Sequence, residues 1–298
     1  MSLKHLLFAS AYSPLRFCNS FLPKISGKRS PKLRVLLYHD IDPKHEVLFE
    51  AQLRWLSKSW QFVTPHQFSA MIDGVMPVQE DSLLLTFDDG FISNLSVTER
   101  ILNPFGIQAL FFIVSNFALL SDKDDCRGFI AEKMYPSLKP QDIPNHWKNM
   151  SMDNLKFLVD TGHAIGGHTA NHKRLAETTS SCYEGEIIES ADYLAQKLGI
   201  TIEHFAYTFG DLTSFTPAAL AVARSRFKYI HTGMRGDNSI VKNAWAIRRD
   251  SLSAKDSISL VGAFLEGGAD ILYSNKLKKY ESWGNSNYEI KTNSRFIP

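Results

Sequence analysis

Short apolar runs alternate with segments of helical spacing along most of this chain, and that alternation restricts the fold more than any other feature. The runs at 33–39, 82–87, 107–116, 163–168, 202–209 and 227–233 read as strands. Between them, 47–60, 97–106, 151–162, 181–199 and 216–226 carry apolar residues three and four apart, the spacing of a helix with one buried face. Helix punctuation agrees: Ser151 is a plausible N-cap, Pro217 stands near a helix start, and Gly162 and Gly199 are stops. Further strands are expected at 243–252 and 270–275, with a helix at 256–268 between them. The strand runs are continuously apolar, as befits strands covered on both faces. Repeated units of this kind form a parallel α/β sheet, open or closed as a barrel. Residues 121–150 break the rhythm. They are polar, contain Pro136, Pro140 and Pro144, and are expected to form an inserted loop or lid.

The expected organisation is a leader at 1–32, a single domain at 33–278 bearing that insertion, and a peripheral tail at 279–298. With 298 residues, 44% of them hydrophobic, the chain can build a sizeable core. A net charge of +2, with no glycine-rich phosphate loop or zinc-finger spacing, argues against a nucleic-acid partner. Cys18, Cys126 and Cys182 are few, odd in number and far apart, which argues against a disulfide framework or a cysteine metal cluster and fits a reducing compartment. No apolar stretch approaches the roughly 20 residues that span a bilayer. The leader is basic, with apolar residues interspersed, and makes a poor secretory signal because its apolar core is short and meets Pro14. It reads as a loosely ordered segment or as one that touches anionic lipid. The expected location is the cytoplasm or the membrane surface, with secretion left open. Oligomeric state is not legible.

Asp88 and Asp89 lie side by side directly after the apolar run 82–87. Like charges raise each other's cost of ionisation, so the pair either sits in a solvated turn or faces something positive. In parallel α/β proteins, sites gather at the carboxyl ends of the strands. The segment "GGHTANH" is placed there too, with His168 and His172 four apart, a spacing that can face one way on a helical turn. A carboxylate and two imidazoles suit zinc or another first-row dication with positions left open. Such an ion would neutralise Asp89 and leave Asp88 beside an activated water.

With these motifs the chain resembles the polysaccharide deacetylase family, the NodB-homology group of carbohydrate esterases. "TFDDG" (86–90) matches the family's first motif letter for letter, and "HTANH" (168–172) matches its H-[ST]-x-x-H motif. The text around them, "LLYHDI" (36–41), "GIQALFFI" (106–113) and "LVDTGHAIGGHTANHKRL" (158–175), is also similar, and the resemblance runs over about 35–275. It implies a single-domain distorted (β/α) barrel and a metal-dependent N-deacetylase. By motif matching, Asp89, His168 and His172 would hold one divalent ion, zinc first, with cobalt or nickel as alternatives. Asp88 would be the general base.

The third region, "HFAYTFGD" (204–211), looks like a family variant with Thr208 where proline is usual; the Phe209 N–H would then be the oxyanion donor. Ala206 stands where some members carry an arginine that orients the base. Arg249 matches an arginine common late in the domain, and could supply that charge or form a rim salt bridge. The family's last motif closes a strand with a histidine that protonates the leaving amine; Ser274 takes its place here. His39, then His231, are the expected replacements. Tyr207, Phe209, Trp147 and Trp245 offer faces for sugar stacking. The expected function is removal of acetyl from an N-acetylhexosamine in a glycan, glycolipid or sugar precursor. A catalytically impaired glycan-binding module and a small-molecule amide hydrolase are the alternatives.

Overall fold

The strands form one parallel sheet. The computed structural model describes residues 8–16, 30–240 and 243–284. The strands are β1 (Leu33–Tyr38), β2 (Gln61–Phe62), β3 (Ser82–Phe87), β4 (Ala109–Ile113), β5 (Ala164–Gly167), β6 (His204–Ala206), β7 (Tyr229–His231) and β8 (Asp250–Ser251). Their order is β7-β6-β5-β4-β3-β1-β8, with β2 beside the start of β3. Residues 244–247 then run along β7: Ile230 N–H donates to the Ala244 carbonyl, and His231 bridges Ile247 in parallel. The chain next enters β8 beside β1, through Leu36 opposite Asp250. The two ends of the sheet therefore meet on one segment, and the sheet curls into a distorted (β/α) barrel.

Alternation along the strands sorts the side chains. Leu36, Tyr38, Leu83, Leu85, Phe87, Phe111 and Phe205 face outward into the larger core. That core is covered by α2 (Glu46–Leu56), α4 (Ile92–Val97), α7 (Met152–Asp160), α8 (Ser190–Leu198), α9 (Pro217–Arg226) and α10 (Ile258–Leu265). Val35, Leu84, Leu110, Phe112, Ala206 and Ile247 belong to a separate inner cluster, which α3 (Pro65–Ile72) plugs from the amino ends of the strands with Phe68 and Met71. The inward register of Leu84 and Thr86 delivers Asp88 to the opposite mouth.

Closure at β8 rests on charge as well as backbone. Arg34 is fully buried and donates from Nε and Nη2 to Asp250, each at 2.8 Å, and from Nη1 to Asp270 at 2.7 Å. Nothing in the sequence marked Arg34 for this role.

Several expectations need correction. Residues 270–275 are not a strand: Asp270–Leu272 is a single tight turn, and Ser274 opens α11 (Ser274–Gly284), which packs Tyr280 and Trp283 against the core. The 121–150 insertion, expected as a polar loop or lid, is partly helical. It holds α6 (Lys123–Phe129), widened at Ile130–Met134 by the Tyr135 N–H bond to the Ile130 carbonyl. With α5 (Ser115–Ala118) it builds its own apolar cluster of Phe91, Phe117, Cys126, Ile130, Met134 and Ile143. Proline count and polarity hid that cluster, because its apolar residues are spaced irregularly. In the leader, residues 8–16 form a helix, α1, whose Phe8 packs on Phe264 and whose Tyr12 packs on Trp55. Residues 1–7 and 17–29, which include Cys18, and the tail beyond 284 lie outside the described residues. No helix among the described residues is long and apolar enough to cross a membrane.

Candidate active site

Three strand ends converge at the barrel mouth. Asp88 and Asp89 follow β3, His168 and His172 follow β5, and the 207–210 turn follows β6. The two histidines do not share a helical turn. The chain from His168 to Lys173 is a loop, and Thr169 and His172 adopt left-handed backbone angles, φ 65° and 53°. Asp89 (φ 78°) and Phe209 (φ 63°) do the same, so every non-glycine residue with positive φ among the described residues lies at this site. Such conformations cost of order 1–3 kcal/mol each and persist where the surroundings fix them.

Asp89 Oδ1 lies 3.2 Å from His172 Nε2 and 3.5 Å from His168 Nε2. On the far side of each ring a backbone carbonyl accepts from Nδ1: Ala206 for His168 at 2.8 Å, Lys133 for His172 at 3.3 Å. A carbonyl can only accept, so Nδ1 carries the proton and a neutral ring turns its Nε2 lone pair toward Asp89. Asp89 Oδ1 is buried without a hydrogen-bond partner. Three lone-pair atoms within 4.8 Å of one another and an orphaned carboxylate oxygen form a set that a cation completes. Burial disfavours the Asp89 charge, yet His172, His168 and His39 hold its pKa well below the usual carboxylate range. Burial lowers the His172 pKa, and Asp89 outweighs that and raises it.

Asp88 is 3% exposed and has a different partner. Arg249 grips it with two parallel bonds, Nη1 to Oδ1 at 2.6 Å and Nη2 to Oδ2 at 2.9 Å. Arg249 is itself fully buried, bonded through Nε to the Thr232 carbonyl, with the Phe112 ring 5.0 Å from its guanidinium. A fork so held fixes the carboxylate plane. The guanidinium on Asp88 thus comes from the segment leading into β8, while position 206 is Ala206. Asp88 Oδ2 stays 3.9 Å from His168 Nε2, beside the triad and outside it.

The mouth has two walls. On one side Phe209 is 43% exposed, its ring 4.8 Å from His172 and 4.2 Å beneath Arg174. On the other, the insertion pairs with the chain after Asp89: Phe91 bridges Asn149, Ile92 N–H donates to the Lys148 carbonyl, and Met150 N–H donates to the Gly90 carbonyl. Lys133, Tyr135, His146 and Trp147 all come from this insertion; of these, sequence reasoning names only Trp147.

The remaining candidates fall in different places. His39 lies at the end of β1, within the field of Asp89, and its ring has no hydrogen-bond partner among the described residues. His231 is buried beneath the site and shares a proton with His204 at 3.0 Å; burial holds its pKa well below the ordinary value. Tyr207 is a correction: it is 1% exposed and stacked on Phe215 at 3.8 Å, so it is core and offers sugar no face. Trp245 packs against Tyr280 and Arg224 on the α9–α11 flank. Ser274 lines a cavity of about 360 Å³ with Arg235, Asp270 and Lys278, apart from the Asp–His–His group.

The sequence profile described as polysaccharide deacetylase matches residues 76–226. The Bacillus subtilis (strain 168) protein YxkH, whose own name assigns it provisionally to polysaccharide deacetylases, is 23% identical over 81% of this chain and 79% of that protein. A Bacillus cereus peptidoglycan-N-acetylglucosamine deacetylase is 25% identical over 65% of this chain and 58% of that protein. Among solved structures, IcaB from Ammonifex degensii shares the fold at a TM-score of 0.65 and 21% identity, over 80% of this chain and 98% of that one.

Proposed function

Since the chain belongs to the polysaccharide deacetylase family, we propose that it hydrolyses the acetamide of an N-acetylhexosamine in a glycan, glycolipid or sugar precursor, using a divalent ion, zinc first. The observation that carries this reading is the division of labour at the mouth. One carboxylate completes an Asp–His–His set, while a second, Asp88, is fixed by Arg249 and left out of it. A site that only bound glycan would need no free, oriented carboxylate there.

A divalent ion held by Asp89, His168 and His172 would supply Lewis acidity toward the acyl oxygen and make water more acidic. Asp88 then acts as general base, accepting the proton of the attacking water. Arg249 holds its carboxylate correctly turned. The Phe209 N–H would donate to the oxygen that gains charge during attack. The exposed Phe209 ring, backed by Arg174, supplies a stacking face for a sugar.

The test is acetate release from N-acetylglucosamine oligomers, with elemental analysis alongside. Asp88→Asn should lower turnover by about 10²–10⁴-fold while retaining the metal. His168→Ala should lose metal and activity together. Glycan binding without acetate release would favour the binding-module reading, and ammonia or urea release from small amides would favour the third.

A further inference from the structure

We propose that Glu186, which belongs to none of the motifs above, is the positioning residue that sets His172 for metal binding. This rests on the metal-dependent reading above. The two imidazoles of the Asp–His–His set are fixed in different ways. His168 directly follows β5: its N–H donates to the Ile113 carbonyl at 3.1 Å, and its Nδ1 bond to the Ala206 carbonyl is 2.8 Å. His172 has no strand beneath it. It sits at φ 53°, and its Nδ1 lies 3.3 Å from the Lys133 carbonyl, at the long limit of a hydrogen bond. What places the second ring therefore lies in its own loop.

That loop is anchored at both ends. Near its start, the Ser115 and Asn116 N–H groups donate to the Thr169 and Ala170 carbonyls at 3.2 and 3.1 Å. At its close, Thr208 Oγ1 donates to the Lys173 carbonyl at 2.6 Å. Between these anchors, Asn171 turns to Glu186 with two donors. Its backbone N–H reaches Oε2 at 3.0 Å and its Nδ2 reaches Oε1 at 2.8 Å. Asn171 Oδ1 accepts in turn from Asn116 Nδ2 at 2.8 Å. Lys173, on the other side of His172, brings its Nζ within 3.1 Å of Glu186 Oε1.

Glu186 is 4% exposed. It lies in Glu184–Glu189, a widened turn that leads into α8, and such turns recur at functional sites. Ser190 Oγ donates to its backbone carbonyl at 2.8 Å, which fixes the residue from its own element. A buried carboxylate is costly unless donors satisfy it. All three donors to this one come from the two residues that flank His172. Glu186 thus binds the ligand loop and offsets the left-handed conformation of His172, a conformation that costs about 1–3 kcal/mol. The ring is in place before any ion arrives. Without Glu186, ordering the loop falls to the binding of the ion itself, and affinity drops.

Zinc affinity of the full chain, measured by competition with a chromogenic chelator, tests this. Glu186→Gln should weaken zinc binding by about 10–100-fold. The melting temperature of the metal-free protein should stay close to that of wild type, and acetate release should return at saturating zinc. Asn171→Ala removes one bond of the clamp and leaves the buried acid in place; it should weaken zinc binding in the same direction, by less. Unchanged zinc affinity in Glu186→Gln, whatever its melting temperature, would overturn the proposal and leave the metal reading intact. If Glu186→Gln does not fold, unchanged affinity in Asn171→Ala overturns it instead. Wild-type protein that takes up no zinc, cobalt or nickel would overturn both.

Discussion

At the scale of single residues, the site separates two carboxylates that the sequence leaves adjacent. Asp88 points into the barrel onto Arg249, and Asp89, through its left-handed backbone, turns toward the two imidazoles. Removing one member of a buried pair strands the other charge, at a cost of roughly 3–5 kcal/mol. Arg249→Met should therefore lower the melting temperature as well as activity. The double variant Arg249→Met, Asp88→Asn should recover part of the stability and none of the activity; equal melting temperatures for both variants would count against the coupling. The adjacency of Asp88 and Asp89 and the spacing of His168 and His172 were legible because each pair follows a single strand and so falls close in sequence. Arg249 meets Asp88 only through long-range pairing, and no local pattern records that. Tyr207 misled for the opposite reason: it sits in a motif beside the site, but strand alternation turns its ring outward into the core.

At the scale of elements, the insertion behaves as a small folding unit. Its apolar cluster holds Lys133 on His172 and the 148–150 segment on the chain that follows β3. Ile130→Ala removes a fully buried side chain and should cost about 2–5 kcal/mol of local stability. Hydrogen exchange should rise across 123–150 while amides of β1, β3 and β4 stay protected; uniform loosening would show that the insertion is not separable. The leader helix has its own seat. A Cβ at Gly262 would come within 2.4 Å of the Tyr12 ring. Gly262→Ala should push α1 off the domain, read as faster proteolysis near residue 16 with activity retained. The βα rhythm was readable because each unit buries one periodic face. The insertion was not, because its helices are short and punctuated by proline.

At the scale of the molecule, buried neutral histidines couple the barrel to pH. His163 accepts the Ala109 N–H at the start of β4 through Nδ1 and reaches Asn103 through Nε2. Burial pushes its pKa down to about 4, and burial takes His204 down to about 3. A histidine whose pKa is depressed on folding adds stability that is complete above its unfolded value near 6.5 and is lost as pH falls toward the folded one. Unfolding free energy from urea titration should therefore decline between about pH 6.5 and 4, and decline less steeply in His163→Gln. An identical slope in the variant would remove His163 from the account.

The meeting of β1 with β8 also sets an order of events during synthesis. Arg34 and Asp250 are 216 positions apart. A chain emerging from the ribosome has every other strand in hand before that partner exists. Until then β1 presents an unpaired edge and a bare guanidinium among apolar side chains, the kind of surface that seeks a wrong neighbour. Chains truncated before residue 244 should be retained by chaperones or aggregate, while full-length chains escape once the last sixth of the protein has passed the exit tunnel.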